Sequence, residues 1–364
     1  MRNKAIIAIA LVMIGLFVFL LSCGDDDPVG PPPSESKHLF FIAPLTGNLI
    51  KVFSVENKQF IDSFYVDSIS DTSSIYRMHV IGDDAFLAIS TKENTYIFDL
   101  KCRKVTESFY GEWTVFSRDS RYYFSKNNNS RHWELRIYPE HTLIYDDVPT
   151  LMLPFFSNDS RYLAASDTYI DSSEFVTDQI IYDISTGVRT AIRKRLSDQN
   201  VNIFEKYPSS SYQKLFLGGN TLYTYYFAVT DFNSDSIRVI KYLSQDMASA
   251  IPVISPDGKY VYFSEQVMEA WSGIPDGKIY VYNAETEDSV AVIEYEGIRQ
   301  PHSFVITYDN KYLIADPVNE FKDETNVCLI DALNFQVIGV YDFHDLPGCV
   351  TSKWAAHGGG NYRL

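Results

Sequence analysis

Helical patterning is almost absent from this 364-residue chain. Outside the N-terminal apolar stretch, no run of ten or more residues repeats its apolar positions at helical spacing, which argues against an α or α/β fold. Cysteine is scarce, with four in all. There is no Cys-x-x-Cys and no Cys-x-x-Cys-His, so neither a zinc ribbon nor covalent haem is indicated. With Cys23 set aside, Cys102, Cys328 and Cys349 are odd in number, which excludes a complete disulfide framework. Cys328 and Cys349 could pair; the plainer reading is buried thiols packing as small hydrophobes. Positive charge is also short: 31 Lys and Arg face 47 Asp and Glu, a formal charge of −16. The densest basic cluster, 189–195, is brief, so no stripe exists to displace counterions from nucleic acid. Such acidity suits solubility and, at most, cationic partners or metal ions. No Gly-x-Ser-x-Gly nucleophile turn occurs. Gly358-Gly359-Gly360 lacks a following Lys-Ser/Thr and reads as a flexible tail, not a phosphate loop. No carboxylate pair stands out for acid–base work.

What is present begins with a targeting segment. Arg2 and Lys4 precede an apolar run over 5–21, broken only by Gly15, and Leu20-Leu21-Ser22-Cys23 closes it. A basic start, an apolar middle and a small residue before the cut form a secretory signal over 1–22. The run is also close to the ~20 residues of a membrane helix. The Leu-Leu-Ser-Cys ending resembles a bacterial lipobox. That resemblance implies cleavage before Cys23, lipidation of its thiol and acylation of the new N-terminus. Three acyl chains would hold the protein firmly, since each buried methylene contributes about 0.8 kcal/mol. Residues 23–37 then form a Pro- and Asp-rich spacer, semi-rigid at about 3.1 Å per residue. Its acidic triplet Asp25-Asp26-Asp27 weakly resembles surface-export signals of some Gram-negative lipoproteins. The expected location is the bacterial cell envelope, periplasmic or at the outer surface.

From His38 to the end the chain is rich in aromatics and short alternating runs; the whole sequence has 26 Tyr and 24 Phe. Such residues favour strands. One unit recurs: Ser117-Arg-Asp-Ser-Arg-Tyr, Ser157-Asn-Asp-Ser-Arg-Tyr, Ser255-Pro-Asp-Gly-Lys-Tyr and Thr307-Tyr-Asp-Asn-Lys-Tyr, each feeding an apolar strand. A second element also recurs, an apolar run closing on a polar residue, over 49–54, 95–99, 135–139, 179–183, 236–240, 278–283 and 326–331. The repeat predicts an all-β, seven-bladed β-propeller of four-stranded blades over 38–364. The first unit lacks a first strand and the segment 347–357 is surplus, so strands from both termini are expected to close the ring and hide its edges. Two blades depart from the common turn, with Ile81-Gly-Asp-Asp-Ala85 and Leu217-Gly-Gly-Asn-Thr221 in its place.

The run Ser255-Pro256-Asp257-Gly258-Lys259-Tyr260-Val261-Tyr262, followed by the 278–286 strand and turn and by Pro301-His302, resembles the YVTN-type and related WD-type propellers of bacterial envelopes. The resemblance covers the whole chain past the linker. It implies the fold; the family holds enzymes, binders and scaffolds alike.

Loops joining second and third strands are expected to share a face with the blade-to-blade loops. In blades four to seven they are read as long, over 167–178, 228–235, 266–277 and 316–325. They carry Asp167, Asp171, Glu174, Asp178, Asp231, Asp235, Glu269, Trp271, Glu320, Asp323 and Glu324. This acidic, partly aromatic rim could grip a basic peptide or a cation, although solvated variable loops would look the same. Asp231, Asn233 and Asp235 have the Asp-x-Asn-x-Asp spacing of a calcium loop but lack its Gly at position six and its Glu at twelve. His79, His302 and His357 fall on expected first strands, where converging imidazoles could bind a transition metal. The functional expectation is a lipid-anchored binding or assembly module for a protein or glycan partner. The alternative is a propeller enzyme of lactonase or dehydrogenase-subunit kind using a channel metal or cofactor. The enzyme question leans to no, and Ca2+ is the one cofactor the spacing suggests.

Overall fold

A computed structural model describes residues 38–358 apart from 45–46, 83–84, 128–131, 149–150, 158, 172–173, 194–201, 209–213, 221–224, 232–236, 243–246, 250–251, 268–276, 296–300, 308, 318–325 and 343–351. The expected signal peptide, Cys23 and the spacer lie outside these residues. All described elements are strands, grouped in antiparallel sheets that follow the chain.

The first sheet holds β1 (His38–Pro44), β2 (Leu49–Ser54) and β3 (Gln59–Tyr65). The second holds β4 (Ile75–Ile81), β5 (Phe86–Thr91), β6 (Asn94–Asp99) and β7 (Lys104–Tyr110). The third runs through β8 (Glu112–Phe116), β9 (Tyr122–Lys126), β10 (Trp133–Ile137) and β11 (Leu143–Val148). The fourth has β12 (Leu151–Phe156), β13 (Tyr162–Asp171), β14 (Glu174–Asp183) and β15 (Val188–Arg193). The fifth has β16 (Asn202–Pro208), β17 (Lys214–Asn220), β18 (Tyr225–Asp231) and β19 (Arg238–Tyr242). Next come β20 (Met247–Ser249), β21 (Val253–Ile254), β22 (Tyr260–Val267), β23 (Gly277–Asn283) and β24 (Ser289–Tyr295). The last group is β25 (Pro301–Ile306), β26 (Tyr312–Pro317), β27 (Asn326–Asp331) and β28 (Gln336–Asp342). Finally β29 (Ser352–Gly358) returns to pair β1 along seven positions, from Pro44↔Ser352 to His38↔Gly358.

The architecture is a β-propeller of four-stranded blades. Successive first strands are neighbours, from β25 through β29, β4, β8 and β12 to β16. The expectation of seven equal blades is corrected to six. The 247–295 group departs because its inner edge is divided: β20 and β21 both pair β22, making a five-stranded sheet. Pro252 stands directly before β21 and has no N–H to give the ladder. A second correction concerns the fifth sheet. Leu217, Gly218, Gly219 and Asn220, expected at a turn, belong to β17. The 236–240 run, expected as a third strand, supplies the fourth, β19. Small residues at 218 and 219 imitated a turn that the neighbouring strands overrode.

The recurring turn forms as its residues dictate. The Ser117 hydroxyl accepts the Tyr122 N–H at 2.9 Å and donates to Asp119 Oδ1 at 2.7 Å. Ser255 does the same with Tyr260 and Asp257, and Thr307 with Tyr312 and Asp309. The residue after each Asp is left-handed: Ser120 at φ 58°, Ser160 at 59°, Gly258 at 69° and Asn310 at 61°. Where this residue is not glycine, its side chain reaches the preceding blade. Ser120 Oγ accepts the Gly82 N–H at 3.1 Å, Ser160 Oγ that of Asp119 at 3.2 Å, and Asn310 Oδ1 that of Asp257 at 3.0 Å.

Apolar layers fill the space between blades. Strand periodicity sends alternate residues to opposite faces. In β1, Leu39 and Phe41 pack with Met78, Leu87 and Phe98 of the second sheet. Phe40 and Ile42 pack with Ile314 and Leu329 of the last. All four are essentially out of solvent, each contributing roughly 1.5–3 kcal/mol. Among the cysteines, Cys328 is a free, buried thiol pushed up to about 12 by burial. Cys102 is disulfide-bonded to a partner outside the described residues. Cys349 also lies outside them.

Candidate functional site

A propeller presents two faces. One carries the hairpins from first to second and from third to fourth strands. The other, the connection face, carries the second-to-third links and the passages between blades. The expected acidic rim belongs to this second face, and the strands locate part of it.

Asp167, Asp171, Glu174 and Asp178 were expected in a loop, and the structure corrects this. They lie on β13 and β14, whose register pairs Asp167 with Asp178 and Asp171 with Glu174. The alternating β-formers Thr168, Tyr169 and Ile170 opposite Phe175, Val176 and Thr177 extend the hairpin. Each strand has ten residues, against six in β5 and β6 and five in β9 and β10. The excess of about four residues lengthens the hairpin by roughly 13 Å. Asp231 ends β18 opposite Lys214. The link after it joins third to fourth strand, so it sits on the hairpin face and not with the rim. Asn233, Asp235, Glu269, Trp271, Glu320, Asp323 and Glu324 lie outside the described residues.

The three histidines do occupy first strands. His79 is on β4 opposite Ala88, and His357 is on β29 opposite Leu39. His302 stands where the β25 register shifts between Pro301 and Ser303. Aligned on the Gly82 and Asp309 turns, His302 lies four positions from the level of His79, about 13 Å along the strand. Among the described residues no group of three His, Cys, Asp or Glu could hold a metal ion. His79 itself is unusual. Burial, with the Arg77 charge, holds its imidazole down at about 3 against a hydrogen bond to the Thr114 backbone. Its Nε2, the nitrogen away from Thr114, is enclosed and has no partner among the described residues. The ring is neutral at physiological pH.

The connection end of β4 and β8 carries a second cluster. Trp113 has φ 56°. Most other non-glycine residues with positive φ sit in hairpin turns, whereas Trp113 stands inside β8, at a register shift between Glu112 and Val115. A bulge of this kind re-aims a side chain, and a bulky left-handed residue is costly to hold. The indole Nε1 donates to Glu112 Oε1 at 3.0 Å, the Arg77 guanidinium lies 5.8 Å from the ring centre, and Lys126 Nζ is 3.6 Å from Glu112. Together they place aromatic surface and charges of both signs at the mouth of the first strands.

Comparison with known proteins adds the fold. The β-propeller recurs in solved structures of low identity. Oligogalacturonate lyase from Vibrio parahaemolyticus superposes with a TM-score of 0.58 at 11% identity, covering 85% of this chain and 86% of its own. The dihydro-heme d1 dehydrogenase NirN gives 0.54 at 11%, covering 86% and 75%. A functionally unknown protein from Desulfotomaculum acetoxidans gives 0.59 at 10%, covering 88% and 99%. No family model and no curated protein matches the chain.

Sequence reasoning missed one further polar chain. His141 Nε2 contacts Glu107, and His141 Nδ1 bonds the Tyr123 hydroxyl at 2.8 Å. A carboxylate–imidazole–phenol line could serve proton transfer. Tyr123 is only 2% exposed, however, and burial pushes its phenol well above the ordinary range. The line therefore fastens the β10–β11 turn to β7 of the preceding blade. Trp113 was also missed, since nothing in its residue type signals a left-handed conformation.

Proposed function

We propose that this protein is a YVTN/WD-type, envelope-anchored lipoprotein whose propeller binds a protein or glycan partner through its connection face. The pairing of β29 with β1 is read as the closure of the ring. The anchor rests on Cys23, placed as a lipobox requires, and on the Pro-rich spacer after it. The single observation that carries the binding reading is the long β13–β14 hairpin, with four carboxylates on its two strands. Its charge suits a partner with a basic surface, and the aromatic and polar mouth around Trp113 adds stacking and hydrogen-bonding groups nearby in the ring.

The test compares the wild type with a variant carrying Asp167→Asn, Asp171→Asn, Glu174→Gln and Asp178→Asn. Both are used as bait in mildly solubilised envelopes at low and high salt. The binding reading expects a partner retained by the wild type at low salt and lost in the variant, with unchanged melting. Equal retention by both proteins, or none by either, counts against it.

The enzyme reading is favoured by one observation, the neutral, enclosed His79 whose Nε2 has no partner among the described residues. The oligogalacturonate lyase and NirN neighbours are compatible with it. Metal analysis of the same preparations separates the two. A stoichiometric ion lost on His79→Ala supports the enzyme, and calcium lost on Asp231→Asn supports a calcium-dependent binder.

A further inference from the structure

The chain enters the propeller on the hairpin face. His38 begins β1, and the residue opposite it is Gly358, the last of β29. In the second, third and last sheets the first strand ends, and the second begins, at a hairpin-face turn. His38 therefore stands at the level of those turns. Side-chain contacts fix it there. Its ring nitrogens lie 2.6 Å from Glu56 Oε1, in the β2–β3 turn, and 2.8 Å from Asp309 Oδ2, in the β25–β26 turn. Its carbonyl accepts the Val55 N–H at 3.1 Å. The entry point is thus pinned beside the innermost strand by turns of two sheets.

The acidic hairpin stands at the opposite end. β6 crosses from the connection face to the hairpin face in six residues, so the faces are about 20 Å apart. The β13–β14 hairpin reaches roughly 13 Å further on the connection side. Charge differs between the two ends as well. In the turns of the hairpin face, cations lie against carboxylates: Arg121 is 2.7 Å from Asp119, Arg161 is 2.8 Å from Asp183 and Lys311 is 3.0 Å from Asp309. The β13–β14 register instead sets acid opposite acid, Asp167 with Asp178 and Asp171 with Glu174.

We propose that the propeller is carried with its hairpin face toward the membrane and its β13–β14 hairpin pointing away, so that the basic surface this hairpin receives comes from the aqueous side. This rests on the anchored reading above, in which Cys23 is held at the membrane. Residues 24–37 separate it from His38, and these fourteen residues span about 43 Å as an extended Pro-rich spacer. To turn the connection face downward, the spacer must pass outward over two strands and then along the blade, about 30 Å. The projecting hairpin adds roughly 13 Å. That route consumes the spacer at full extension, whereas the upright arrangement leaves it slack. Electrostatics favour the same orientation. An anionic headgroup surface tolerates charge-matched turns but repels paired acids brought within a Debye length, about 8 Å.

Energy transfer to the lipid surface tests this. The full chain, purified from envelopes, is placed in vesicles of phosphatidylethanolamine and phosphatidylglycerol whose headgroups carry an acceptor dye. A donor dye is attached at Thr186→Cys, in the exposed β14–β15 turn of the hairpin face, or at Glu93→Cys, in the exposed β5–β6 link of the connection face. Wild type labelled in parallel corrects for native thiols. Transfer should be clearly stronger from position 186 than from 93. Equal transfer, or stronger transfer from 93, in chains that float with the vesicles overturns the orientation and leaves the anchor standing. A chain that does not float with them overturns both, and the mass of the Cys23 peptide reports its lipid separately. Should T186C fail to fold, Glu285→Cys, in the exposed β23–β24 turn of the same face, takes its place with the same expectation.

Discussion

Asn310 shows how one residue serves two demands. Its backbone is left-handed, and its amide oxygen accepts the Asp257 N–H of the neighbouring blade. Asn310→Gly keeps the conformation and removes the bond, at a cost near 1 kcal/mol. Asn310→Ala also incurs the left-handed penalty of about 1–2 kcal/mol. Denaturant midpoints should therefore rank wild type above Gly above Ala, and an Ala variant as stable as Gly would refute the strain argument. The dual role was half legible beforehand. The Ser/Thr-x-Asp turn announced itself by recurrence, but the hydrogen bond to the next blade depends on distances that only the folded ring defines. Trp113 was illegible for the same reason, since its conformation follows from a bulge set by two neighbouring strands.

At the scale of elements, strands were read where alternation was clear and misread where composition imitated a turn. β2, β6, β23 and β27 fall at the expected places. The pair Gly218-Gly219 looked like a break and is strand, and acidic residues at 167–178 looked like loop and are hairpin. Charge is a poor guide to loops when β-branched and aromatic residues alternate with it. β29 bears most directly on stability. Without it, β1 becomes a free edge whose side chains Leu39, Phe40, Phe41 and Ile42 are all buried. A chain ending before residue 348 should melt lower and scatter light on heating. An unchanged melting curve would mean that β29 contributes nothing to the stability of the first sheet.

Over the whole molecule, turn carboxylates set the response to acid. Burial alone would raise Asp309, but bonds from His38, Thr307 and Lys311 outweigh it and hold the carboxyl below its usual range. Asp119 and Asp331 show the same balance with other partners, and Asp183 is held down chiefly by Arg161. Each binds its proton less readily folded than unfolded. The stability they contribute is therefore present above the ordinary carboxyl range and lost as pH falls below it. Circular dichroism during acid titration should show cooperative unfolding, and Asp309→Asn, less stable at neutrality and without this carboxyl to protonate, should lose less stability between neutrality and acid than the wild type does. An acid transition unaffected by replacing all four would disprove the assignment.

The alternation along β1 has a consequence for how the chain finds its alignment. Both faces of such a strand end in oil. A slip of one residue would trade Phe40 for Phe41 between neighbouring layers, yet leave every ring dry. Greasiness therefore cannot distinguish the correct pairing from its shifted twin. For β1 that information must come from polar contacts at its start, where the His38 ring meets Glu56 of its own sheet and Asp309 of the last.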